Sequence, residues 1–312
     1  MAQTSQNSAH LTRSEVWSSQ LKDVLEDELM ATSYVNWLSE FPDGNTFTIP
    51  SIGQAQVEAY TENESVTYAP LDTGEFQLTI TEYLASGIYI TEKAKQDTFY
   101  MNQLVSSFVP KQERAIMEDV EAYILGLESS QTASDLNTIN GGDHRFVASG
   151  TNEVFTSADF AKARYALKKA NVPDTNLVAI VDPSVEYTLN TLTNLTNVSN
   201  NPMWEGIVSS GIATGMKFIK NVYGFDVYVS NNLATANETV DSVTTAAGKA
   251  NMFFSAAPDV LPFIGAWRQM PKVDSEYNKD RQREEFIVTA RYGAKLYRPE
   301  NLVCILSDTD QV

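Results

Sequence analysis

The sequence predicts an α+β fold, and three observations carry the prediction. Helical periodicity and strand-like alternation follow one another in no regular order, no segment repeats, and 312 residues are enough to bury a sizeable core. The composition, 43% hydrophobic and 20% charged, is that of an ordinary folded chain.

Taken in order, Val16, Trp17, Leu21, Val24, Leu25 and Leu29 recur at helical spacing behind Thr12 or Ser14 as a cap. From Thr46 the period changes. TFTIPSIGQAQVEAYTENESVTYAP and EFQLTITEYLASGIYIT alternate polar with apolar residues and read as strands, joined through APLDTG, where Pro70 and Gly74 bracket Asp72. They predict a long polar hairpin that projects from the body. Phe99, Leu104, Val105 and Phe108 then form one helical stripe, and Ile116, Val120, Tyr123, Ile124 and Leu127 another. Pro110 between them predicts a kink or a second helix start. A Ser/Thr/Gly-rich loop is expected over 129–152, then a helix capped by Ser157, a buried strand in NLVAIVD and a helix beginning at Pro183. Gly224 marks the turn into a strand at FDVYV. A loop is expected over 234–250, then a strand at NMFFSA. The final strands, in EEFIVTARYGAKLYRPENLVCIL, are expected to break at Gly293 and Pro299.

Charge and motif content narrow the function. No run of about 18 apolar residues occurs, and the polar N-terminus has no signal-peptide core. Cys304, the one cysteine, lies in LVCIL and reads as a small buried hydrophobe, so a disulfide-free protein made in a reducing cytoplasm is expected. A formal charge of −18 disfavours nonspecific nucleic-acid binding, which draws on Lys and Arg. No Lys or Arg occurs between Lys22 and Lys93, whereas Arg268, Lys272, Lys279, Arg281, Arg283, Arg291, Lys295 and Arg298 crowd together. Such asymmetry suggests an acidic segment meeting a basic one, within a chain or between chains. With only His10 and His144, a metal site lacks ligands and a hydrolytic triad lacks its base, so neither metal nor cofactor is expected. Asp72-Thr73-Gly74 has the form of half an aspartic-protease site, but no second copy exists to share a proton and Pro70 interrupts the presenting strand. A hydrolase working through Asp72 is therefore a remote alternative, and no enzyme is expected.

This order of segments resembles the major capsid proteins of tailed double-stranded DNA bacteriophages, with their Hong Kong 97-type fold. The resemblance rests on Gly224-Phe225-Asp226-Val227-Tyr228-Val229-Ser230-Asn231, on Arg291-Tyr292-Gly293 followed by Arg298-Pro299-Glu300 and an apolar strand, and on the order and length of the whole. It implies an N-terminal arm (1–45), an extended loop (46–92), a discontinuous peripheral domain (93–151 and 266–312) with a spine helix near 93–128, and an axial domain (152–265). The implied function is structural: self-assembly as hexamers and pentamers into an icosahedral shell that encloses double-stranded DNA without sequence-specific binding, in the virion after assembly in the host cytoplasm. A scaffolding protein, a portal and a decoration protein are the further partners expected, and no membrane. Some relatives cross-link a loop Lys to a neighbour; this loop has no Lys, so a non-covalent shell is expected. The same resemblance implies an interface of Glu58, Glu62, Glu64, Asp72 and Glu75 against Arg281, Arg283, Arg291 and Arg298 of a neighbour, with Gly74, Pro110, Gly224 and Gly293 as hinges or turns. The alternative within the same fold is an encapsulin-type nanocompartment enclosing enzyme cargo.

Overall fold

A computed structural model describes residues 29–39, 44, 46–52, 59, 61–63, 65, 73–97, 101–131, 137–191, 221–240, 242–245 and 248–308. The predicted helix over 12–29 therefore lies outside the described residues, apart from Leu29.

A short 3-10 turn at Ala31–Tyr34 leads into β1 (Val35–Leu38), followed by the hairpin strands β2 (Thr46–Ile52) and β3 (Thr73–Thr79). After β4 (Glu82–Thr91) come α1 (Glu92–Asp97) and the long α2 (Met101–Gly126). Three short strands follow, β5 (Thr138–Ile139), β6 (Gly142–Asp143) and β7 (Arg145–Val147), and then α3 (Ser157–Lys169), β8 (Leu177–Val181) and α4 (Pro183–Thr191). The remainder is strand: β9 (Asn221–Val222), β10 (Phe225–Val229), β11 (Thr235–Ala236), β12 (Thr239–Val240), β13 (Val243–Thr244), β14 (Gly248–Ser255), β15 (Phe263–Asn278), β16 (Arg283–Leu296) and β17 (Val303–Ser307). The mixture is α+β, as the sequence implies.

Two sheets organise these elements. The first has the order β1-β15-β16-β4, with α2 laid across β16 and β4. Val120, Ile124 and Leu125 of α2 meet Val288, Ala290 and Tyr292 of β16 in one core cluster, which is why the 116–127 stripe is helical and buried. The second sheet has the order β7-β17-β14-β8-β10-β9, with β11 against β14. Its core is aromatic: Phe253 stands edge-on to Phe160 and Phe225, with ring centroids 5.1 and 5.3 Å apart. β8 is buried along its whole length, which explains its continuous apolar run.

Several sequence expectations change. EFQLTITEYLASGIYIT is not one strand. It divides at Ile80–Thr81, and β3 pairs with β2 while β4 joins the first sheet, so 82–91 belongs to the body and not to the projecting hairpin. Gly74 sits inside β3 opposite Ser51, not in a turn. Pro110 lies within an uninterrupted α2 instead of starting a second helix. Gly293 does not break its strand, because β16 runs through it. Its lack of a side chain serves a crossing: a Cβ there would lie 2.8 Å from the Thr79 carbonyl oxygen and 2.9 Å from the Ile80 Cα. The cap of α3 is Thr156, one residue earlier than expected, whose N–H donates to the Asp159 carboxylate at 2.8 Å. The 234–250 stretch contains three short strands and the start of β14. Gly224 has φ +92° in the β9–β10 turn, a region that favours glycine. The 129–152 loop also carries β5, β6 and β7.

The domain boundaries drawn at 151 and 266 cut across this pairing. β7 and β17 lie outside 152–265 yet both belong to the second sheet, where β17 pairs with β14 and with β7. Backbone hydrogen bonding groups 145–147 and 303–307 with the second lobe.

Candidate assembly surface

The basic segment forms most of β15 and β16, a long antiparallel ribbon paired from Phe263–Leu296 to Asn278–Arg283. A strand of 14 residues spans about 45 Å, so the predicted arginines are strung out and do not form one patch. Arg281 is exposed in the turn at the ribbon's tip. Arg283, at the start of β16, donates to Glu285 of its own strand at 2.5 Å and lies over the Tyr89 ring at 4.4 Å. That hydrogen bond holds the Glu285 carboxyl below its ordinary value. Arg291 is half-buried at the register position of Tyr83. Arg298 is exposed beyond the far end of β16, over the Tyr297 ring at 5.4 Å. Nearby, Lys95 of α1 pairs with Glu284 at 2.5 Å. Part of the basic charge is thus committed within the chain.

Of the acidic partners, Glu62 and Glu75 are exposed, and Glu58, Glu64 and Asp72 lie outside the described residues. The hairpin that carries Glu75 is anchored at its root on β16. Phe76 stands edge-on to Tyr297 at 4.9 Å, and the Lys295 ammonium lies 5.0 Å over the Phe76 ring while donating to the Gln77 carbonyl at 3.2 Å. Phe47 and Ile49 share the half-buried face of the hairpin with Phe76, so its uncharged inner face meets the body and Glu75 points away.

Two buried polar hubs were not read from the sequence. Arg145, 4% exposed, lies in β7 and reaches Glu128 (2%) in the 3-10 turn Leu127–Ser130 that follows α2; its Nη1 donates to the Glu128 carboxylate at 2.5 Å and its Nε to Glu238 at 2.7 Å. Cys304 Sγ lies 3.6 Å from the same Glu128 carboxylate, and burial pushes its thiol well up. His144 is fully buried beside them. Its Nδ1 is 2.8 Å from the Gly142 carbonyl oxygen and its Nε2 is 3.2 Å from that of Glu300. In the second hub, Glu121 of α2 is fully buried and accepts the N–H of Met30 at 2.7 Å and the Ser230 hydroxyl at 3.4 Å. These hubs tie the first lobe to the second and fix where residues 30–38 lie. Tyr34, pushed up to about 12 by burial and by Tyr228, adds an aromatic contact to Phe254 at 5.2 Å. An Arg or Glu at one position carries no periodicity that announces burial, so pattern reading treats it as surface.

Comparison with known proteins agrees with this geometry. A family described as "Phage capsid protein" matches residues 74–305. A chain in a solved structure of Mycobacterium phage Che8 is 16% identical with a TM-score of 0.65, covering 93% of this chain and 96% of its own. The mature capsid of bacteriophage PhiM1 is 10% identical with a TM-score of 0.68, covering 96% and 93%, and the capsid of cyanophage P-SCSP1u is 12% identical with a TM-score of 0.67, covering 93% and 91%. No curated protein sequence matches the chain.

Proposed function

The chain belongs to the phage capsid protein family, a major capsid protein with a structural role in the virion shell, and from that premise we propose how it builds the shell. Copies associate as hexamers and pentamers into an icosahedral shell around double-stranded DNA, with no sequence-specific contact to it. An acidic wall suits this task, because a wall that bound phosphates strongly would impede packaging. The first lobe acts as the peripheral domain. The second, redrawn to include β7 and β17, acts as the axial domain. The observation that carries the reading is the match of the family over 74–305, which spans both lobes; it does not favour an enzyme cargo compartment or a hydrolase.

In the shell, the loop beyond β2 and β3 reaches a neighbour. The acids Glu58, Glu62, Glu64, Asp72 and Glu75 face basic groups there, with Arg281 at the exposed tip as the foremost partner and Arg283, Arg291 and Arg298 contributing along the ribbon. Each exposed pair is worth only about 0–1 kcal/mol, but repetition around every subunit makes the shell sensitive to salt. Assembly in the host cytoplasm draws on a scaffolding protein and a portal, with a decoration protein as a further partner. The subunits are not covalently linked.

The test is electron microscopy of the full chain, produced alone and with a scaffolding protein, alongside a denaturing gel. Icosahedral shells that run as a single monomer band are expected, and Arg281→Glu with Arg283→Glu should lower their yield at low salt, with the difference from the unaltered chain shrinking as salt is raised. Ladders of linked subunits would overturn the non-covalent reading. Shells of the double variant that form at low salt as readily as the unaltered ones would overturn the charge reading.

A further inference from the structure

We propose that β4 forms an interface between two copies of this chain, in which the outer edges of the two β4 strands pair antiparallel and join two four-stranded sheets into one. The proposal rests on the shell-forming role above, which supplies the second copy, but the edge itself is an observation of the fold. β4 ends the sheet order β1-β15-β16-β4, so among the described residues nothing pairs with its outer edge. It is 10 residues long, and from Tyr83 to Thr91 it contains no Lys, Arg, Asp, Glu or Pro. Free edges of that length are ordinarily guarded by charge, proline or bulges, because an unguarded row of N–H and C=O groups captures another strand.

The other free edge shows the contrast. Past β1, β15 carries Pro271 and the charges Lys272, Asp274 and Glu276, and two register shifts against β16 distort the same stretch. One edge is protected and the other is open. The face beside the open edge is also set for contact: Tyr83 and Tyr89 are 63% and 60% exposed, and a Cβ on Gly87 between them would meet nothing within 4 Å.

β4 is complementary to itself. Laid antiparallel about Ser86, it sets Tyr83 against Tyr89, Ala85 against Gly87, Leu84 against Ile88, and Glu82 against Ile90. All of these pairs fall on matching faces, since each joins residues an even number of positions apart. No charge meets a like charge within the strand. Glu82 of one copy instead comes near the exposed Lys93, three residues beyond Ile90, of the other, at both ends of the contact.

Cross-linking tests this register. In the full chain carrying both Tyr83→Cys and Tyr89→Cys, directly opposed positions place the two Cβ atoms within reach of a disulfide between copies. Within one strand the same two residues are about 20 Å apart, so a bond between them has to join two chains. Mild oxidation of assembled protein should convert most of it to a reducible dimer, whereas each single variant should stay largely monomeric; Cys304 is buried and will not compete. Shells that form and leave the double variant unlinked would overturn the β4 interface while leaving the shell-forming role intact. Equal linking by the single variants would also overturn it, as collision and not register would then be the cause. A full chain that neither assembles nor links would overturn both.

Discussion

Along β8 and β17 every residue is buried, and along β14 all but Lys249, whereas β15 is buried only from Phe263 to Ala266 and alternates half-buried with exposed from Trp267 to Asp274 before opening to solvent. The second sheet is closed by α3 and α4 residues and by its own aromatic core, and the polar groups inside it are held by specific partners. Among the described residues, the distal half of the first sheet has α2 on one face and no strand beyond β15 or β4, with the β15 edge guarded by charge and proline and the β4 edge left open. On the function proposed above, the contrast separates two tasks: the closed lobe keeps the subunit folded, and the open ribbon is offered to neighbouring copies. Substitutions should therefore act on different observables in the two regions.

The largest effect is expected at Arg145. Arg145→Met removes the one cation between Glu128 and Glu238 and leaves a carboxylate that is 2% exposed without a counter-charge. Breaking a buried pair in this way costs about 3–5 kcal/mol. The urea midpoint of the soluble subunit should fall accordingly. A midpoint unchanged from the parent would mean that the hub does not hold the lobes together, and the division between a stabilising lobe and an associating ribbon would collapse.

His144 gives a smaller, pH-dependent effect in the same lobe. Burial pushes its ring below the ordinary value, and the carbonyl contacts to Gly142 and Glu300, together with the nearby Glu300 and Asp143 charges, oppose that push only in part. A neutral ring donates through one nitrogen only, so one of the two carbonyls faces a lone pair. As the pH falls, the unfolded chain takes up its proton first, near 6.5, and the folded chain later. Stability is thus complete above about 6.5 and declines as the pH falls toward the lowered folded value. The unfolding midpoint should drop as the pH is lowered through and below about 6.5, and His144→Gln should flatten that part of the profile. A midpoint that rises over the same interval would reverse the assignment.

The comparison also explains what could be read in advance. Strongly periodic or continuous apolar segments were legible: the 116–127 stripe of α2, the β8 run and the LVCIL strand all bury what their pattern says. No part of β15 is expected from the sequence, because Pro271 and the run KVDSEYNKD argue against a strand, yet an edge position tolerates both. The split at Ile80–Thr81 was invisible because alternation continues unbroken through it. Only the crossing over Gly293, a contact more than 200 residues away in sequence, decides it. The same limit applies to charge. A count along the chain placed eight cations in one segment, but the strand spreads them over its length and turns Arg283 onto Glu285.

The smallest effect on folding, and the sharpest test of the comparison, is expected at Arg283. Its partner Glu285 is solvated, and the pair is one that water and salt screen readily. Arg283→Ala should leave the unfolding midpoint of the isolated subunit within measurement error. It should nevertheless alter association, because it strips the cation from Tyr89 on the open face of β4 and leaves the Glu285 carboxylate, still held by Asn278 Nδ2, without its Arg283 partner beside Glu276, its direct cross-strand neighbour. Like charges directly opposite repel, so a second copy approaching that face would meet a more negative surface. Sedimentation of the variant should show a weaker tendency to assemble at low salt, recovering as salt is raised. Arg145→Met should behave in the opposite sense, with stability lost at every salt concentration. If Arg283→Ala instead unfolded the subunit and left assembly untouched, the open ribbon would be part of the folding core, and the functional contrast between the two sheets would have to be withdrawn.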